Sequence, residues 1–173
     1  MFLDEVYFWT DTVYRWHCLL KPDKYKEIVV DYLKELVEEK HVIVYGFVIM
    51  PNHLHLVWEM KSKVGKEMPY ASFNKHTAHE TVKDLKSNHP NVLAYFVVND
   101  AERQHRIWRR NPLAILMNSR LKVEQKLDYI HRDPLHERWN LADQPENYRW
   151  SSATFYETRE DEFGILTHYM ERF

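Results

Sequence analysis

Glycine, cysteine and charge imbalance are what this sequence has least of. Three glycines in 173 residues argue against a glycine-rich phosphate loop, and neither GxGxxG nor GxxxxGK(S/T) occurs, so a dinucleotide fold and a P-loop site are both disfavoured. The single cysteine, Cys18, excludes an internal disulfide and a cysteine-cluster zinc site and suits a reducing, cytoplasmic setting. It lies in an apolar stretch and reads as a small packed hydrophobe. No apolar run approaches the ~18 residues that span a membrane, and Met1-Phe2-Leu3-Asp4-Glu5 carries no signal-peptide pattern. A formal net charge of −2 lacks the basic excess usual for nucleic-acid binding. A local patch would suffice, however, and eleven histidines can add charge near phosphates.

What is present is an apolar share of 45% with 14% aromatics, enough to build one domain with a substantial core. Val6 to Leu20 is rich in aromatic and β-branched residues and reads as a first strand. Pro22-Asp23 opens a helix to about Lys40, with Tyr25, Ile28, Val29, Tyr32, Leu33, Leu36 and Val37 at three- and four-residue spacing. His41 to Met50 and His53 to Met60 read as strands joined at Pro51-Asn52 into a hairpin. Ser72 is expected to cap a helix to about Lys86, and Asn88-His89-Pro90-Asn91 breaks it. Val92 to Val98 is ambiguous between helix and strand. Arg103 to Arg110 is expected to form an edge strand, and Lys122 to about Arg132 a helix stopped by Asp133-Pro134. This order predicts an α+β fold: a ferredoxin-like antiparallel sheet with helices on one face and C-terminal helices after it. Residues 1–173 form one domain, with about 140–173 as a tail packed on it.

The most informative stretch is Ile49-Met50-Pro51-Asn52-His53-Leu54-His55-Leu56-Val57. Side chains alternate across a strand, so His53 and His55 share one face while Leu54, Leu56 and Trp58 take the core face. Two imidazoles about 6–7 Å apart at Cβ can converge on one ion. A further ligand and a reactive group are offered by Leu127-Asp128-Tyr129-Ile130-His131-Arg132-Asp133-Pro134. Tyr129 and Asp133 are four apart, on one helical face roughly 6 Å apart at Cβ. A carboxylate at Asp133 can reach a metal, and a phenol one turn earlier can attack a phosphorus atom held by it. A phenol is a poor nucleophile at neutral pH, and a bound cation offsets that by neutralising and orienting the phosphate.

Arg103, Arg106, Arg109 and Arg110 surround Trp108, a pattern that suits single-stranded nucleic acid through phosphate neutralisation and base stacking; a core position for Trp108 is favoured. Lys75 and Lys83 on the second helix could border a groove. Arg149 and Trp150 either touch DNA or dock the tail.

The segment from Tyr45 to Val57, with its Pro51-Asn52-His53-Leu54-His55 centre, resembles the signature of small single-domain tyrosine transposases of the His-hydrophobic-His superfamily. Tyr129-Ile130-His131-Arg132-Asp133-Pro134-Leu135 is similar to the tyrosine helix of REP-associated tyrosine transposases, whose usual pattern is Tyr-Ile-His-x-Asn-Pro. Tyr148-Arg149-Trp150-Ser151-Ser152 is similar to that subgroup's Tyr-x-Trp-Ser-Ser tail motif. The resemblance covers about Val6 to Tyr156. It implies a ferredoxin-like fold, single-stranded DNA substrates with foldback hairpins, magnesium or manganese, and cleavage leaving a 5′-phosphotyrosine and a free 3′-hydroxyl. It also implies Tyr129 as nucleophile and His53 and His55 as metal ligands, with Asp133 standing where the subgroup usually has an amide ligand. A monomer and a homodimer both remain open. Two other functions are compatible with these residues: a catalytically retired hairpin-DNA-binding protein, and a His-based metal-dependent hydrolase.

Overall fold

Alternation of Trp9, Asp11 and Val13 against Phe8, Thr10 and Thr12 sets the two faces of the first strand, and the rest of the molecule is arranged around them. The computed structural model describes residues 1–100 and 103–173, the Arg103 side chain excepted. Strand β1 (Val6–Thr12) is followed by α1 (Asp23–Glu38), β2 (Val42–Ile49), β3 (His53–Met60), α2 (Pro69–Asn88), the short α3 (Pro90–Leu93), β4 (Val97–Asp100), β5 (Arg103–His105), β6 (Leu113–Leu116), α4 (Arg120–Arg132) and α5 (Ala153–Thr158). The main sheet has the order β2-β3-β1-β6, antiparallel throughout. This is the ferredoxin-like arrangement, and it makes β3 a central strand.

Helices α1 and α2 cover one face. Phe73 of α2 packs edge-on to Trp9 and Trp58 at 5.6 and 6.2 Å between ring centres, and all three are fully buried. Each such ring contributes roughly 1.5–3 kcal/mol when removed from water. Helix α1 turns Tyr25, Val29, Tyr32, Leu33 and Leu36 inward. Its buried Lys26 returns its ammonium to the Lys21 carbonyl and the Asp23 carboxylate, both at 2.9 Å. Helix α4 and the C-terminal tail cover the opposite face. Among the described residues, no helix is long and apolar enough to cross a membrane.

Four local expectations are corrected. Strand β1 stops at Thr12 because Arg15 and Trp16 turn into the left-handed region, with φ of 54° and 61°. Cys18 is therefore in a turn and exposed, not packed. Helix α2 begins at Pro69, whose missing N–H and fixed φ suit a first helical position. Ser72 lies inside it, buried, and bonds the Tyr32 hydroxyl at 2.6 Å. The fourth strand is Leu113–Leu116. Arg103–His105 instead pairs with Val97–Asp100 in a separate ribbon, and Ile107 and Arg109 hydrogen-bond the backbone of Tyr14 and Thr12 beyond the reach of β6.

Asp11, on the α2 face, is fully buried. Thr12 N donates to its Oδ1 at 2.8 Å, while Oδ2 has no hydrogen-bond partner among the described residues. Burial pushes its carboxyl up to about 7 against the opposing pull of Asn74 and Thr12 N. A raised carboxylate stabilises the fold only while protonated. That stability is complete below the unfolded value near 3.8 and is lost as pH rises towards about 7. Asp11→Asn, which keeps the neutral form, is expected to be near-neutral at pH 4 and to stabilise by a few kcal/mol at pH 8, read from urea unfolding at the two pH values.

Candidate active site

The β2–β3 hairpin closes with Met50 N donating to His53 O at 2.8 Å, which places Pro51-Asn52 at the turn and His53 at the first position of β3. Register then does the rest. Thr10 faces His55 and Thr12 faces His53 across the β1–β3 ladder, so the two imidazoles and the two threonines share one face. The imidazole centres are 4.9 Å apart.

The third ligand candidate arrives from α4. The residue before a proline is normally driven out of the helical region, yet Asp133 keeps φ −54° and ψ −42°, and the chain tightens into a 3-10 turn over Asp133–Leu135 instead of stopping. Asp133 is buried, with Oδ2 at 2.9 Å from His53 Nε2 and 3.7 Å from His55 Nε2. The three ligand atoms lie within 4.8 Å of one another.

Outer contacts orient both rings. Asn52 Nδ2 donates to the Trp16 carbonyl at 3.4 Å, so its Oδ1 faces His53 and accepts from Nδ1–H at 2.7 Å. His53 Nε2 is thereby the ring nitrogen that faces Asp133 Oδ2, at hydrogen-bond distance. Thr10 Oγ1 lies 2.7 Å from His55 Nδ1, equivalent in effect when the hydroxyl accepts. His55 Nε2 is buried with no hydrogen-bond partner among the described residues. Burial first, and then the neighbouring His53, push the His55 imidazole down to about 3, against the pull of Asp133, so it is neutral with a free lone pair at ordinary pH. An orphaned imidazole nitrogen beside a second imidazole and a carboxylate is the donor set of a divalent-cation site, and outer hydrogen bonds of this kind fix ligand tautomers.

Tyr129 is on the same face of α4, one turn before Asp133. Its ring centre is 5.6 Å from that of His55 and 6.3 Å from that of Phe8, and it is 45% exposed. Burial and the Asp133 carboxylate raise its hydroxyl above the usual phenol range. Lys126, three residues earlier, holds its ammonium 4.4 Å from the Phe8 ring centre and 5.2 Å from that of Tyr129. These groups line one cleft of about 390 Å³ together with Trp16, Arg138 and Trp139.

The predicted cationic residues are scattered. Arg109 stacks over Trp16 at 5.0 Å, at the edge of the cleft. Arg106 and Arg110 both bind Asp100, at 2.8 and 2.6 Å, and share a groove with Lys75 between α2 and residues 104–110. Trp108 is buried and donates to Thr77 at 2.9 Å. Lys75 pairs with Glu67 and Lys83 with Glu80. Arg149 pairs with Glu162 and lies over Trp150, so that part of the tail motif docks the tail. The Arg103 side chain lies outside the described residues.

Sequence reasoning missed the residues that seat α4 on the sheet. Ser152 Oγ accepts from Phe47 N at 3.0 Å and lies 2.8 Å from His131 Nε2. Burial pushes His131 down to about 4, so it meets Ser152 as a neutral ring. A Cβ at Gly46 would come within 2.3 Å of Leu127 Cδ2 and 3.2 Å of Ser152 Oγ, so only glycine lets α4 approach this closely. Backbone bonds stitch the tail along the outer edge of β2: Ile49 N to Trp150 O at 2.8 Å, Ser152 N to Phe47 O at 2.9 Å and Thr167 N to Val44 O at 2.9 Å. Gly46→Ala is expected to lower stability by about 1–3 kcal/mol through overpacking, seen as a lower denaturation midpoint.

No protein-family model matches the sequence, and no curated protein matches it. Among solved structures, the chain is similar to a REP-associated tyrosine transposase bound to a REP hairpin, with a TM-score of 0.61 and 14% identity over 96% of this chain and 84% of that one. A structure from Deinococcus radiodurans R1, named only as a candidate transposase, matches with a TM-score of 0.42 and 14% identity over 76% of this chain and 92% of that one. At these identities the likeness is one of fold, and the chain has the fold of the hairpin-bound transposase.

Proposed function

We propose that this protein is a tyrosine transposase of the REP-associated type, which cleaves and rejoins single-stranded DNA next to foldback hairpins through a 5′-phosphotyrosine. The observation that carries the reading is the meeting of His53, His55, Asp133 and Tyr129 in one cleft of one chain. The shared fold with a hairpin-bound transposase and the three motifs in family order support it.

His53 Nε2, His55 Nε2 and an Asp133 carboxylate oxygen would hold a magnesium or manganese ion, which when bound neutralises phosphate oxygens and orients the phosphate for in-line attack. Asp133, in place of the subgroup's amide, adds a formal charge to the ligand set and strengthens its hold on a hard cation. The Tyr129 oxygen attacks phosphorus. The new Tyr129 O–P bond forms as the P–O3′ bond breaks, and the proton given up by the phenol is balanced by one taken up at the leaving 3′-oxygen. Attack by a 3′-hydroxyl reverses the step and conserves the phosphodiester energy. Lys126 and Arg138 bring positive charge to the mouth of the cleft, where the strand's phosphates enter.

The test uses labelled single strands from the DNA flanking the protein's own gene, incubated with the protein and manganese. A denaturant-resistant protein–DNA band is the expected result. Binding without any covalent product would favour a retired hairpin-binding protein instead.

A further inference from the structure

Trp16 stands out on three counts. It is 54% exposed, although an indole of this size normally buries most of its surface. It sits at φ 61°, a backbone region that bulky side chains rarely occupy and that tends to mark sites where geometry serves function. And it is held there deliberately: its N–H donates to Val13 O at 2.9 Å, its carbonyl accepts from Asn52, and the Arg109 guanidinium lies over its ring. Asn52 is the same side chain that orients His53.

The ring also has a particular place. It forms part of the wall of the cleft that contains Tyr129 and of a second, smaller cleft of about 230 Å³ lined by Arg109, Arg110 and Asn111. A strand with its reacting phosphate beside Tyr129 would cross Trp16 on its way to those arginines. A flat, exposed aromatic between two cation-bearing clefts matches what single-stranded nucleic acid needs: a face for a base and positive charge for the phosphates on either side.

We propose that Trp16 is the stacking platform for a nucleobase next to the reacting phosphate, with Arg109 beside it receiving a phosphate farther along the strand and the exposed Arg110, which also pairs with Asp100, adding positive charge there. This rests on the transposase reading of the same cleft and adds to it how the flanking nucleotide is gripped.

The experiment uses the Tyr129→Phe protein, so that binding is read without cleavage. Hairpin single strands from the gene's flanks carry 2-aminopurine at successive positions beside the hairpin. Quenching is expected at one position, lost with Trp16→Ala and largely kept with Trp16→Phe. Trp16→Ala should weaken binding by roughly tenfold. An abasic site at the quenched position should weaken the parent similarly, and the two changes together should do no more than either alone. Independent, multiplying losses, or quenching that survives Trp16→Ala, would overturn the proposal while leaving the transposase reading intact. Failure of the parent to bind any hairpin strand would overturn both. Thermal melting by circular dichroism confirms that Trp16→Ala is folded.

Discussion

Tyr129→Phe should abolish the covalent protein–DNA product, with cleavage falling by at least about 10⁴-fold, the scale seen when a nucleophile is removed from a covalent enzyme. Binding of hairpin DNA should persist. The ring is kept, so its contacts with His55 and Phe8 survive, and only the oxygen is lost. The raised phenol sharpens the expectation. Unaided, it is almost wholly protonated at neutral pH, so the reaction should depend on added cation, and its rate should climb with pH until the activated phenol has ionised. A gel of labelled strand under denaturing conditions reads the result. A covalent band from Tyr129→Phe would remove Tyr129 from the chemistry, and unchanged cleavage without any adduct would favour hydrolysis at the histidine site.

The second large effect is expected from His55→Ala. Among the described residues, His55 Nε2 is a buried nitrogen with no hydrogen-bond partner; an unpaired buried polar atom costs about 1–3 kcal/mol, and a cation bound there would relieve that cost. Manganese should therefore raise the melting temperature of the parent, by an amount equivalent to about 2.7 kcal/mol at a hundredfold excess over its dissociation constant. His55→Ala should lose at least about 100-fold in manganese affinity, since even the loss of an outer hydrogen bond to a ligand costs 10–100-fold, and should show no such rise. Thr10→Val, which removes only that outer bond, should fall between. Titration calorimetry with manganese alone measures all three without DNA or turnover. Equal affinity in parent and His55→Ala would show that these three side chains do not form the ion's site.

Much of this was legible in the order of residues. Period-two alternation put His53 and His55 on one face, and the four-residue step put Tyr129 and Asp133 on another, because both spacings follow from local backbone geometry alone. Lys126 was open to the same logic, three residues before Tyr129 on the helix. What brings Thr10 to His55 is strand register, a long-range property with no local signature. The edge strand was misplaced for a related reason: Leu113–Leu116 is four residues long and exposed, too short for a pattern, while the arginine stretch before it mimics one. Trp16 hid because left-handed backbone at a non-glycine residue is set by tertiary contacts and leaves no mark in composition. Gly46, one of only three glycines, was the available clue to where α4 comes to rest.

The stitching of the tail to β2 has a consequence for how the molecule tolerates change. Those backbone bonds use up donors and acceptors that would otherwise line an open sheet margin, the kind of margin that recruits strands from other chains. Through Ser152, the same few residues brace the helix that presents the phenol. Drift in this segment would therefore loosen the seat of Tyr129 and bare an adhesive rim in one stroke, so its composition is constrained from two sides although none of it lines the cleft that holds Tyr129.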